Sequence, residues 1–169
     1  MHSTPQHDSA PQAGSYNDNA AALTVGKWEA GIFGCFSSFM PNCLMATCCP
    51  CVSLAQTTHR LGLYSYSKVL LVYGIIWVGM AVCSALANTS ETISIVECVL
   101  FALGFLMLFQ IRTKVRTLLQ IPGSQFEDCF YSLFCGCCAL AQMATQAKAY
   151  DAGKCSFGAK DTLPAYNMA

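Results

Sequence analysis

The chain has 169 residues, 54% of them apolar and only 11% charged, too few ionised groups to cover a soluble surface of that size. Nine basic residues cancel nine acidic ones, so no net field favours a nucleic-acid partner. The twelve cysteines are even in number, but the opening Met1-His2-Ser3-Thr4-Pro5 is no basic, apolar leader, so most are read as cytosolic thiols, not as a secreted disulfide framework.

Residues 1–22 are rich in Ser, Pro, Gln, Asn and Ala without periodicity, which predicts a disordered tail. From Ala30 to Thr58 no acidic or basic residue occurs, and Phe33, Phe36, Phe39, Met40 and Leu44 give the segment an interfacial or bilayer-dipping character. Pro41 and Pro50 interrupt it, so full spanning is disfavoured. Residues 69–87 then run nineteen positions without a charge. A helix of that length covers about 29 Å, the thickness of a hydrocarbon core. A second stretch, 93–111, is equally long and carries one charge, Glu97. Only Asn88-Thr89-Ser90-Glu91-Thr92 separates the two, which forces an antiparallel hairpin.

Arg60 and Lys68 precede the first span, and Arg112, Lys114 and Arg116 follow the second, while the connection carries no basic residue. The bias of basic residues toward the cytoplasmic side therefore places both termini in the cytoplasm. Asn88-Thr89-Ser90 is a glycosylation sequon, expected to go unused because it lies against the bilayer. Cys129 to Ala147 is again free of charge, with Phe130, Tyr131, Leu133 and Phe134 as its apolar residues and Gly136 as an interruption. Residues 151–169 are read as a flexible tail, leaving 28–150 as the cysteine-rich membrane domain.

The two charge-free segments are copies of one another. Cys43, Cys49 and Cys51 align with Cys129, Cys135 and Cys137 at a constant offset of 86, and Leu54-Ala55-Gln56 aligns with Leu140-Ala141-Gln142. Each copy has an additional cysteine, Cys48 in the first and Cys138 in the second. Because a hairpin separates them, both copies return to the same side and can meet as a quasi-symmetric pair.

With the Cys49-Pro50-Cys51 motif, the hairpin and the second cluster in hand, the chain resembles the cysteine-rich placenta-specific-eight family, which includes cornifelin, plant cadmium-resistance proteins and fruit-weight or cell-number regulators. The resemblance rests on Trp28 with Gly31-Ile32-Phe33, Cys43 through Cys51, Arg116 with Ile121-Pro122-Gly123-Ser124, and Asp128-Cys129 leading to Cys138-Ala139-Leu140-Ala141-Gln142. It implies a plasma-membrane protein linked to divalent metal handling, calcium influx or control of cell number. One departure stands out: family members often continue with a Glu-x-Arg-Glu-like run, where this chain has Met143-Ala144-Thr145-Gln146.

Clustered thiolates suit soft or borderline ions such as zinc, cadmium and copper(I). The Cys-x-Cys spacing is shorter than a zinc finger uses, so two half-sites are expected, Cys49 and Cys51 with Cys135 and Cys137, and Cys43 and Cys129 are candidate metal residues as well. Two other readings stay open: S-acylation at Cys48, Cys49 or Cys138, and simple packing. Inside the second span, Glu97 is expected to face a partner or a water path, with Cys83 at similar depth and Cys98 adjacent. Gly79, Cys83 and Ala87 form a small-residue face that suits either oligomers or the hairpin itself. His59 reads as an interfacial histidine before a ligand. No nucleophile elbow, phosphate loop or carboxylate pair occurs, so no enzyme is expected.

The expectation is thus an all-α membrane protein: a two-helix transmembrane hairpin flanked by two cysteine-rich cytosolic or re-entrant segments. Its partners are the lipid bilayer, divalent cations (zinc, cadmium or calcium) and further copies of itself. Functionally it is a homo-oligomeric plasma-membrane protein for cation transport or homeostasis, zinc being the candidate metal. The alternative is an S-acylated scaffold that regulates signalling or cell number and transports nothing.

Overall fold

The computed structural model describes residues 23–34, 39–86, 91–151 and 153–163. The tail expected at 1–22 and the sequon at Asn88 lie outside the described residues. A π-helical turn, Phe39–Cys43, leads into α1 (Leu44–Cys48) and α2 (Pro50–Arg60), followed by α3 (Tyr66–Leu86), α4 (Glu91–Leu118), α5 (Gln125–Phe134) and α6 (Gly136–Gln146). No β-sheet forms among the described residues; a lone bridge joins Asp151 and Lys154.

Helices α3 and α4 have 21 and 28 residues, and at about 1.5 Å per residue either is long enough to cross a bilayer. The core helix of a soluble protein would be mostly covered. Here only 11% of the most apolar stretch of each helix is buried. Leu71, Ile75, Val78 and Val82 on α3, and Ile95, Val99, Phe101 and Leu103 on α4, are left exposed. These are two helices that could span a membrane. They close on each other through glycines: a Cβ at Gly79 would stand 3.0 Å from Leu100 Cδ1, and one at Gly104 would stand 3.4 Å from Ile76 Cγ2. The small-residue face expected on α3 therefore serves, at Gly79, the contact within the hairpin.

Helix α4 continues past the expected end at Ile111 and carries Arg112, Lys114 and Arg116 on its last turns. Gln120 ends it in the left-handed region (φ 52), with Ile121 N–H bonded to Arg116 O at 2.9 Å. A capping box then starts α5: Ser124 Oγ accepts from Glu127 N–H, and the Glu127 side chain accepts from Ser124 N–H.

The sequence repeat is also a repeat of backbone. Cys49 breaks the helix between α1 and α2 at φ −132, ψ 59, and Cys135 breaks it between α5 and α6 at φ −142, ψ 58. Eleven helical residues follow each break. Both helices end alike, in a Schellman motif. Gly62 (φ 66) and Lys148 (φ 49) occupy the left-handed position. Leu63 N–H bonds Thr58 O, and Ala149 N–H bonds Ala144 O. Each pair differs by the same 86 positions.

Each pivot rests beside a different long helix. A Cβ at Gly136 would lie 3.3 Å from Leu108 on α4, and one at Gly74 on α3 would lie 4.0 Å from Cys51. Both pivots thus pack beside the apolar stretches 69–87 and 93–111. The shared tripeptide forms the core where α2 meets α6: Leu54, Ala55, Leu140 and Ala141 are all buried.

The glutamines of that tripeptide each hold a flanking segment. Gln142 Nε2 donates to Ala30 O at 2.8 Å, while Gln56 Nε2 donates to Ser156 O and Gly158 O at 2.7 and 2.8 Å. One turn on, Gln146 binds Thr24 O and accepts from Glu29 N–H. His59 Nδ1 lies 2.8 Å from Lys160 O, a contact to the backbone of this segment. Residues 153–163, read from composition as a flexible tail, therefore run along α2. Residues 143–146, which depart from the family's charged run, are mostly buried: Met143, Ala144 and Gln146 lie in the core.

Candidate metal centre

Cys135 is the N-cap of α6, and Cys137 and Cys138 fall in its first turn. This turn gathers their sulfurs within 4.8 Å of one another, the one such group of three metal-ligating residue types among the described residues. Cys137 is exposed, Cys135 half-buried and Cys138 buried. Cys135 and Cys138 are joined by a disulfide with a Cα–Cα separation of 5.3 Å. In that state the group offers one thiol; reduced, it offers three. Three thiolates are one short of a tetrahedral zinc set, which leaves a position for water or an incoming ligand. The donor chemistry fits a soft divalent ion in the reduced state.

The four-sulfur site expected from both copies is not assembled. Cys49 and Cys51 do not join the group formed by Cys135 and Cys137. The reason lies in the docking of the pivots, one against α3 and the other against α4. Cys43 is buried ahead of α1, and Cys129 is half-buried on α5. Cys138, one of the three candidate acylation positions, is buried and bonded to Cys135, and in that state it offers no thiol. Cys48 and Cys49 are free.

Cys49 has a second environment that the sequence reading missed. Burial, and then the neighbouring thiols of Cys51, Cys48 and Cys155, push its pKa up from the ordinary value. Cys155 comes from the segment held along α2 by Gln56, so its approach required the fold of residues nearly a hundred positions away.

Behind the second pivot lies a buried ionic network, also missed. Asp128 on α5 is 1% exposed. It accepts from Arg112 Nε at 3.2 Å, Arg116 Nε at 2.7 Å and Thr113 Oγ1 at 3.3 Å. Arg112 Nη2 also donates to Gln142 Oε1 at 2.8 Å, and its guanidinium lies 4.7 Å from the Trp28 ring centre. A signal was available: Trp28, Arg116, Asp128 and Gln142, residues quoted for the family resemblance, all meet here.

In the half of the hairpin nearer its connecting turn, Glu97 accepts a hydrogen bond from Ser84, one residue beyond the expected Cys83. Cys83 is half-buried and Cys98 exposed.

The sequence profile of the PLAC8 family matches residues 28–146. Cell number regulator 4 of Zea mays is 27% identical over 124 residues, covering 73% of this chain and 68% of the maize protein. No solved structure matches the chain.

Proposed function

The chain belongs to the PLAC8 family, and from that membership and its sulfur cluster we propose that it is a plasma-membrane protein that binds and moves soft divalent cations. The observation that carries this reading is the group of Cys135, Cys137 and Cys138 held at the level of Leu108 on an apolar, uncovered helix. In this reading both termini are cytoplasmic, several copies assemble around the path, and no reaction is catalysed. The reduced trio takes zinc or cadmium through thiolates, so binding releases protons and tightens as pH rises. Glu97 and Ser84 contribute oxygen atoms in the outer half of the path. Oxidation of Cys135 and Cys138 to the disulfide removes two of the three ligands, which makes metal retention conditional on reductant.

The test uses the full chain in lipid nanodiscs. With a phosphine reductant, about one zinc or cadmium per chain is expected, lost on treatment with oxidised glutathione and in Cys137→Ser. In liposomes, Glu97→Gln should lower cadmium flux at least tenfold. A reduced wild type that retains no metal defeats the proposal. The S-acylated scaffold remains the second reading, favoured by the exposed thiol of Cys48. Hydroxylamine-sensitive lipid at Cys48 with no cation flux would select it.

A further inference from the structure

Between the two pivots and the hairpin lies a cavity of about 250 Å³. Tyr73, Trp77, Phe101 and Phe105 give it aromatic walls, and Thr47, Ser132 and Cys137 line it from the two copies. Ser132 is 5% exposed, and its Oγ has no hydrogen-bond partner, the one such buried side-chain atom among the described residues. An orphaned buried hydroxyl is destabilising, so a group that accepts from it is called for. Thr47, the other hydroxyl of the lining, donates to Cys43 O at 2.9 Å and makes no hydrogen bond with Ser132.

The depth of Ser132 identifies the acceptor. Helix α5 and the start of α6 run back along α4 from Asp128, bonded to Arg112, to Gly136, packed on Leu108. Ser132 lies midway between them, within about a turn of Ile111, where the uncharged stretch of α4 ends. That is the edge of the hydrocarbon core, the level at which the glycerol esters of a phospholipid begin. From there the aromatic walls continue toward the bilayer centre, past Phe105 and Phe101. The rim is open to chains from the side, since Phe101 and Leu133 are 51% and 42% exposed. The rest of the lining is mostly apolar, which suits an acyl chain.

We propose that the cavity between the two pivots is a lipid site: it takes part of one acyl chain of a diester phospholipid, whose ester carbonyl accepts a hydrogen bond from Ser132. The claim needs the hairpin in the bilayer but not the metal site.

The experiment therefore runs in metal-free buffer with chelator. The full chain is reconstituted with diester phosphatidylcholine or its diether analogue, which lacks the carbonyls, and retained lipid is counted by native mass spectrometry. The wild type should keep the diester about fivefold better, the worth of one hydrogen bond. Ser132→Ala, which only removes an unpaired hydroxyl, should abolish that preference. Thr47→Phe, at an exposed lining position, should reduce retention of both lipids. Equal retention of the two lipids by the wild type would leave water as the partner of Ser132 and overturn the proposal. So would a preference that survives in Ser132→Ala, or no retained lipid at all.

Discussion

Replacing Asp128 by Asn should unfold the chain more readily than any single thiol substitution. The carboxylate is 1% exposed and accepts from Arg112, Arg116 and Thr113. An amide keeps the shape but withdraws the charge, leaving the 2%-exposed Arg112 beside Arg116 with no counter-ion. Removing one partner of a buried pair costs about 3–5 kcal/mol, which corresponds to a fall in Tm of about 6–20 °C at about 2–4 °C per kcal/mol. Arg116→Met should cost less, about 1.5–3 kcal/mol, because Arg112 still neutralises Asp128 and the Arg116 side chain is 13% exposed. The double variant Arg112→Met with Asp128→Leu should recover most of the loss, since an apolar pair replaces a buried ionic one at little net cost. Thermal unfolding in detergent micelles, followed by Trp28 fluorescence, reads all three, because that ring stacks on the Arg112 guanidinium. A fall below about 2 °C for Asp128→Asn, or a double variant no better than the single, would refute the reasoning.

The left-handed cap of α2 gives a further prediction: Gly62→Ala should lose about 1–2 kcal/mol, measured by denaturant melts. At Cys49 the raised pKa keeps the thiol protonated to higher pH than an ordinary cysteine, so its alkylation should accelerate only above the ordinary thiol range. Cys155→Ser removes one repelling neighbour and should move that profile to lower pH, read by residue-resolved mass spectrometry; an unmoved profile counts against the assignment. Gln56→Ala deletes the bonds to Ser156 O and Gly158 O, and trypsin should then cut at Lys154 and Lys160 at least tenfold faster.

The hairpin was legible because an uncharged run of nineteen residues has few destinations other than a bilayer or a large core. The duplication was legible because cysteines and a tripeptide kept register over 86 positions, and the same register reappears in the backbone at Cys49 and Cys135. What the sequence hid depends on where elements dock. Arg112 reads as an ordinary flanking charge until the turn at Gln120 brings Asp128 back to it. The cross-copy sulfur site fails for the same kind of reason: equal sequences were set against unequal neighbours, Cys51 on α3 and Gly136 on α4. Cys138 could not be recognised as the partner of Cys135 without knowing that a helix begins between them.

The glutamine grips have a consequence for tolerance to change. Gln56, Gln142 and Gln146 catch the flanking segments mainly by their main-chain oxygens, at Ser156, Gly158, Ala30, Thr24 and Lys27. Every amino acid, proline included, offers that oxygen. Apart from packed anchors such as Trp28 and Leu163, side chains along both segments can therefore drift, acquiring recognition or modification signals, without unfastening either segment, provided the three amides that hold them stay in place.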